Sequence, residues 1–255
     1  MIPILGRAIA AAIIFASQAA SAGPAHLNVY STIAMRGALQ ELVPQFQKQS
    51  GQTLALTWGT AATLAKRIEE GEPADVAILA RSNFDALSKA GKIAAGSEVV
   101  LAQSGIAVAI KSGAHKPDIT SPDALKETLQ KAKSIAYSDP AAGGASGVHF
   151  AAVLERLGIA DEMKAKTKHP PAGGNAAALV ATGEAELAVQ QKPEIMNVAG
   201  VDVVGPLPAD LNKITTFAAA VIANSKNPEG AEALLKFLQS PEAAKVFKAS
   251  GFDPD

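Results

Sequence analysis

The sequence predicts an α/β fold in two units, and three observations carry the prediction. Strand-like and helix-like patterns alternate along the chain, as they do in α/β architectures. A long apolar stretch, Val99–Lys111, interrupted by Gln103-Ser104-Gly105, divides that alternation into two. Three strand-to-helix turns are made of glycine, serine, threonine and alanine, side chains that leave the unpaired N–H groups of a helix start open to an anion.

Taken in order, the strand LNVY (27–30) runs into Ser31-Thr32 and a helix over 34–48 that carries Arg36. Leu39, Leu42, Val43 and Phe46 give that helix its apolar stripe, and Ser50-Gly51 ends it. Residues 53–58 alternate as a strand, after which Gly59-Thr60-Ala61 leads into a helix closed by Gly71. DVAIL (75–79) is the near-continuous apolar run that a parallel sheet buries on both faces. Ser82 is placed to cap a short helix that stops at Gly91. Beyond the apolar connection come a helix over 123–133, a strand over 134–137, a loop with Gly143, Gly144 and Gly147, and a helix expected to start near Val148. A short helix near 161–166, a glycine-led helix over 173–181 and strands over 186–190 and 201–206 follow. A long strand, TTFAAAVI (215–222), precedes two closing helices over 227–238 and 241–249. Ala231, Leu234, Leu235 and Leu238 form the buried stripe of the first.

Composition narrows the functions open to this chain. With 48% hydrophobic and 18% charged residues it can bury a full core. Lys+Arg 23 against Asp+Glu 24 leaves a net charge of −1, so no basic balance points to nucleic acid. The absence of cysteine excludes thiol catalysis, disulfides and Cys-ligated metal. Met1–Ala22 reads as a cleaved secretory signal: Arg7, the apolar run 8–15, then Ala20-Ser21-Ala22 as a small-x-small site. The run falls well short of the roughly 20 apolar residues a spanning helix needs. No Cys follows it to take a lipid, so the mature chain is expected free in an extracytoplasmic space.

The chemical inventory is short. His26, His115, His149 and His169 show no metal-ligand spacing, and the marks of hydrolase elbows, dinucleotide folds and phosphate loops are missing. No metal or cofactor is expected. The helix-start turns remain, and they nominate Ser31, Thr32, Gly59, Thr60, Ala61, Ala145, Ser146 and Gly147 as contacts to one small anion. Arg36 lies in the first turn of its helix, beside the positive end of the dipole, where a bound anion would relieve the cost. Arg81 follows the DVAIL strand at its carboxyl end, where parallel sheets place ligand contacts. Gln190-Gln191 offer amides at another strand end. His149, on the first turn of the glycine-led helix, is the obvious titratable group, while Lys192 and Glu194 are expected to face solvent.

These segments carry a resemblance. STIAMRGALQELVPQFQKQSG, WGTAATLAKRIEEGEPADVAIL, AYSDPAAGGASGVHFAAVLERLG, GGNAAALVATGEAELAV and PEGAEALLKFLQSPEAAKVFKASGF together resemble the bacterial extracellular solute-binding proteins related to the periplasmic molybdate-binding protein. TLAKRIEEGEPADV and the closing L-x-S-P-E-A-A-x-V-F are the most specific parts. The resemblance implies a two-lobed, type II periplasmic binding protein fold with the ligand cleft between lobes. It divides the chain into a signal peptide (1–22), a first lobe (23–102 plus 206–255) and a second (103–205). It also implies a periplasmic monomer that delivers its anion to a membrane ABC permease, with no nucleic-acid partner.

Departures from the molybdate pattern bear on the cargo. Ala34 and Ala61 fall where molybdate binders place serines, Gln191 falls where they place a tyrosine, and Arg36 is an added charge. An organic carboxylate, held bidentately by arginine, suits that set better than molybdate. Some bacterial aconitate isomerases resemble the same family, which opens an enzymatic alternative: interconversion of trans- and cis-aconitate. Arg36, Arg81, Thr60 and Ser146 would then clamp carboxylates, with His149 as the candidate base.

Overall fold

The computed structural model describes residues 26–171 and 173–253; the signal-peptide segment Met1–Ala22 lies outside them. The first sheet is assembled from β1 (His26–Thr32), β2 (Thr53–Gly59), β3 (Val76–Ala80), β4 (Val99–Ser104) and β10 (Thr215–Val221). Its order is β2-β1-β3-β10-β4. The second is built from β5 (Ile106–Lys111), β6 (Ile135–Tyr137), β7 (Thr167–Lys168), β8 (Leu187–Gln191) and β9 (Val201–Pro206), in the order β7-β6-β8-β5-β9. Neither sheet is wholly parallel, as the alternation alone suggested. β10 runs antiparallel to both β3 and β4, and β5 antiparallel to both β8 and β9. The exchanged strands arrive directly from the other sheet, without the helical crossover that parallel pairing needs.

Each sheet is covered on both faces. α1 (Arg36–Ser50), α9 (Pro228–Leu238) and α10 (Pro241–Ala249) pack one face of the first through Leu39, Leu42, Phe46, Leu234, Leu235 and Phe247. α2 (Ala61–Glu69) and α3 (Phe84–Lys89) cover the other through Leu64, Ile68, Phe84 and Leu87. On the second sheet, α4 (Pro122–Lys131), α5 (Ala145–Arg156) and α6 (Ala160–Lys164) bury Leu125, Leu129, Phe150, Leu154 and Met163. The opposite face meets α7 (Ala176–Ala181) and α8 (Lys192–Met196) over Ala107, Ala109, Ala136 and Ala188. That alanine surface lets two short helices lie close to the strands.

Two crossovers join the lobes, one at Gly105 and one over 207–214, and Asn212 pins them together. Its Oδ1 accepts from the Ile106 N–H at 2.9 Å and the Lys213 N–H at 2.8 Å. A Cβ on Gly105 would lie 3.2 Å from Asn212 Nδ2, so the chain passes close to the Asn212 side chain at this crossover.

Two helix starts differ from the sequence reading, and both bear on the site. The helix expected from Ala34 opens with a 3-10 turn, Ile33–Met35, and becomes α-helical only at Arg36. The helix expected near Val148 begins at Ala145, capped by the backbone of Gly144, so Ala145, Ser146 and Gly147 form its first turn. This early start depends on Gly147: a Cβ there would sit 2.0 Å from the Ser138 carbonyl oxygen, closer than atoms can approach. Gly147→Ala is therefore expected to lower the melting temperature by about 5 °C or more, corresponding to a cost of about 2 kcal/mol. A thermal melt unchanged from wild type would show that α5 starts elsewhere.

Candidate functional site

Where the two sheets meet at their strand ends, the lobes enclose a small cavity of about 50 Å³, room for a few water-sized groups. Thr32, Ala34, Gly59, Thr60 and Ala61 line it from the first lobe; Ser138, Ala145, Ser146, Gln191 and Glu194 line it from the second. All three small-residue turns meet here.

The turns are not equivalent donors. Thr60 caps α2 by accepting from the Thr63 N–H at 3.2 Å, and its hydroxyl donates across the crevice to the Ala142 carbonyl at 2.8 Å. It is a strut between lobes. α5 has no side-chain cap, so the N–H groups of its first turn stay available at the cavity wall. Thr32 Oγ1 and Gln191 Oε1 are buried, line the same cavity and have no hydrogen-bond partner. Leaving such a group unpaired costs about 1–3 kcal/mol, which a ligand bonding to it would recover. Gln191 is held in place from its other end, where Nε2 donates to Thr215 Oγ1 at 2.9 Å.

Glu194 is the residue the sequence reading misplaced. It is half-buried and lines the cavity rather than facing bulk solvent. Removal from water pushes its carboxyl up from 4.5 to about 7, against the smaller opposing pulls of a Gln190 hydrogen bond and the Arg36 charge. Its signal was present in the sequence. Pro193 is a helix-start residue, so Gln191-Lys192-Pro193-Glu194 reads as a strand end turning straight into a helix with an acid in its first turn. Such a turn lies where open α/β sheets bind ligands.

Other nominated residues lie elsewhere. Arg36 does not line the cavity; its guanidinium lies 5.1 Å from the Trp58 ring centroid with Nε buried and unpartnered, and its charge faces Glu194. The carboxyl and the ring, not an anion alone, offset a cation at a helix start. Gln190 is turned away, accepting from the Ala176 N–H at 3.0 Å and donating to Glu194. Ser31 is fully buried behind the wall. Gly147 serves packing. His149 bonds through Nε2 to the Leu211 carbonyl at 2.8 Å, tying α5 to the interlobe connection, so its ring is engaged in structure rather than turned to the cavity. Arg81 pairs with Glu98 at 2.8 Å and lines a neighbouring open cleft with Lys213 and Thr216, which shares only Ala80 and Ala145 with the cavity. Among the described residues no cluster of three His, Asp or Glu side chains could hold a metal ion.

The sequence profile of the bacterial extracellular solute-binding proteins matches residues 27–253. The chain belongs to that family. A relative named aconitate isomerase, from a Pseudomonas species, is 39% identical over 234 residues, covering 89% of this chain and 87% of its own. The molybdate-binding protein of Escherichia coli K12 is 29% identical over 228 residues, 89% of this chain and 88% of its own. Among solved structures, the periplasmic molybdate-binding protein of Azotobacter vinelandii superposes with a TM-score of 0.75 over 90% of this chain and 99% of its own, at 23% identity. That likeness gives the fold: two lobes with the cavity between them.

The buried carboxyl has a thermodynamic signature. Folded protein holds the Glu194 proton to about pH 7, whereas the unfolded chain releases it near 4.5. The folded state thus binds more protons between those values, and stability falls as pH rises through that window, by at most about 3 kcal/mol. Glu194→Gln should melt several degrees above wild type at pH 8, and the two should converge at pH 5. A difference that is the same at both pH values would place the carboxyl in ordinary solvent.

Proposed function

We propose that this protein isomerises a small unsaturated polycarboxylate of the aconitate type by moving a proton and a double bond, with Glu194 as the general base. The observation that carries the reading is the Glu194 carboxyl in the cavity wall, near neutrality in its proton affinity. Once ionised, that carboxyl repels an anion, and a group that exchanges its proton near pH 7 suits a site that must take a proton from carbon. The relative named aconitate isomerase supports the same choice.

The step balances with one base. Glu194 takes a proton from the methylene of trans-aconitate, and the electron pair left behind spreads through the double bond into the adjoining carboxylate. The open N–H groups of α5 and the Thr32 hydroxyl stabilise the negative charge as it grows on those oxygens. The protonated Glu194 then returns its proton to the former vinyl carbon, which leaves the double bond in the new position with cis geometry. Nothing is oxidised or reduced.

The cavity is tight for a six-carbon tricarboxylate, so on this reading the lobes part about the Gly105 and Asn212 crossovers to admit it. The lobes that move are 23–102 plus 206–255 and 103–205, with the pivots a few residues beyond each boundary. The protein acts in the periplasm after loss of Met1–Ala22, as a monomer.

A second reading is favoured by the same small volume and by the family: a periplasmic receptor that hands an inorganic oxyanion or small carboxylate to an ABC permease. The two readings predict opposite responses to pH. A base must be ionised, so kcat/KM for trans-aconitate should rise through pH 7. A receptor's anion affinity should instead fall there, as Glu194 ionises and repels the ligand.

The test is proton NMR of trans-aconitate with the mature protein, following cis-aconitate. Turnover is expected, and Glu194→Gln should reduce kcat about 10³-fold. Binding of trans-aconitate, molybdate or sulfate with no turnover would sink the isomerase and leave the receptor. Ser146→Pro removes one N–H donor at a position where a first-turn proline still fits a helix. It should raise KM about tenfold with the fold intact by circular dichroism; an unchanged KM would make the α5 start a connector only.

A further inference from the structure

Gln190 is 1% exposed, and both ends of its amide are engaged. Oε1 accepts from the N–H groups of Ala176 at 3.0 Å and Ala177 at 3.3 Å, the first turn of α7. Those partners are backbone donors, so the amide has one allowed orientation: turned over, its NH2 would meet two N–H groups, and its carbonyl would meet a carboxyl. Nε2 therefore faces Glu194 and donates to Oε2. The backbone of Glu194 is held from the same place. Asn175, which caps α7 by accepting from the Ala177 N–H at 2.9 Å, donates through Nδ2 to the Glu194 carbonyl at 2.8 Å.

We infer that Gln190 is a positioning residue for the proton transfer: it occupies Oε2 as a fixed donor and leaves Oε1 as the oxygen that carries the proton to and from substrate. This rests on the reading of Glu194 as the base. A donor that cannot become an acceptor favours the ionised carboxyl and forbids a proton on Oε2. It thus selects one of two oxygens and holds the group closer to neutrality than burial alone would.

Few other charges compete. Arg36 faces the carboxyl from the start of α1. α7 (AAALVA) and β8 (LAVQQ) carry no charged residue. On β5 the charge is Lys111, five residues along from Ile106, which pairs with Gln191. On β9, Asp202 is bonded to Ser112 and Gly113 beyond that far end. On α8 itself, Lys192 is the other charged residue.

The test titrates the Glu194 carboxyl directly, by carbon NMR of protein labelled at the glutamate side-chain carboxyls, with the resonance assigned by its loss in Glu194→Gln. Two variants are compared with wild type. Gln190→Met keeps the length and removes the donor. Gln190→Glu keeps an acceptor for the two α7 N–H groups and shows whether α7 stays docked; its own charge raises proton affinity at Glu194, so its midpoint does not report on the lost donor. In Gln190→Met, proton affinity at Glu194 should rise about tenfold or more, and the rise of kcat/KM with pH should move up with it. A midpoint equal to wild type in folded Gln190→Met would overturn the inference. If wild type shows no turnover on trans-aconitate while the Gln190→Met midpoint still moves, Gln190 sets the carboxyl's proton affinity, and it is the base role of Glu194 that falls.

Discussion

Taking a carboxyl out of water is costly, and the placement of Glu194 in the crevice between the two sheets is the constraint on which much of the surrounding structure depends. α8, which bears it, is too short to be stable by itself. It is anchored by buried Ile195 below and by Asn175 along its backbone. Above, it is pressed onto the first lobe: a Cβ on Gly37 would sit 3.1 Å from Asn197 Oδ1, and one on Gly251 would meet Met196 Sδ. The same closure sets Arg36 to face the carboxyl. Because Arg36 belongs to the first lobe and Glu194 to the second, that attraction belongs to the closed arrangement of the lobes.

The donor side of the cavity obeys a different rule. Here the groups are neutral and strength comes from geometry: a helix start with no side-chain cap, a glycine that brings α5 against the Ser138 carbonyl, and a hydroxyl with nothing else to bond. Neutral donors hold charge that appears on substrate oxygens without creating a competing ion pair. A cation in the wall would pair with Glu194 and hold its carboxyl ionised far below pH 7. Arg36 stays outside the lining and stacked on Trp58, near enough to temper the carboxyl and too far back to neutralise it.

The fold was legible because its signals are local. Alternating periodicities, glycine stops and the apolar break at 99–111 depend on neighbours in the chain, and those neighbours decide the elements. The three turns that line the cavity were legible for the same reason, since open N–H groups follow from small residues before a helix. What stayed hidden was orientation. Gln190 and Gln191 are adjacent at a strand end, yet alternation along β8 sends one side chain to α7 and the other to the cavity. Arg36 and Arg81 both follow strands; one is half-buried with its guanidinium over Trp58, and the other pairs with Glu98 at the surface. Glu194 looked solvent-facing because KPEIM is short and polar, and its burial is imposed by lobe closure, which no window of sequence contains.

One scaffold can thus support two functions that differ by a single group. An anion receptor needs converging neutral donors and a hinge, and every feature of this cavity except one fits that description. The exception is a carboxyl whose ionised form opposes anion binding. For a receptor, that opposition is a loss of affinity that grows as pH rises through 7. For an isomerase, it is the source of rate, because a base crowded by substrate carboxylates and shielded from water binds its proton more tightly once the substrate is in place. In such an enzyme the carbon acid would lose its proton to a group whose basicity the substrate itself has raised. An acid in the wall of an anion site therefore separates the two functions by its proton: with it, Glu194 is a donor to a receptor's anion, and without it, a base.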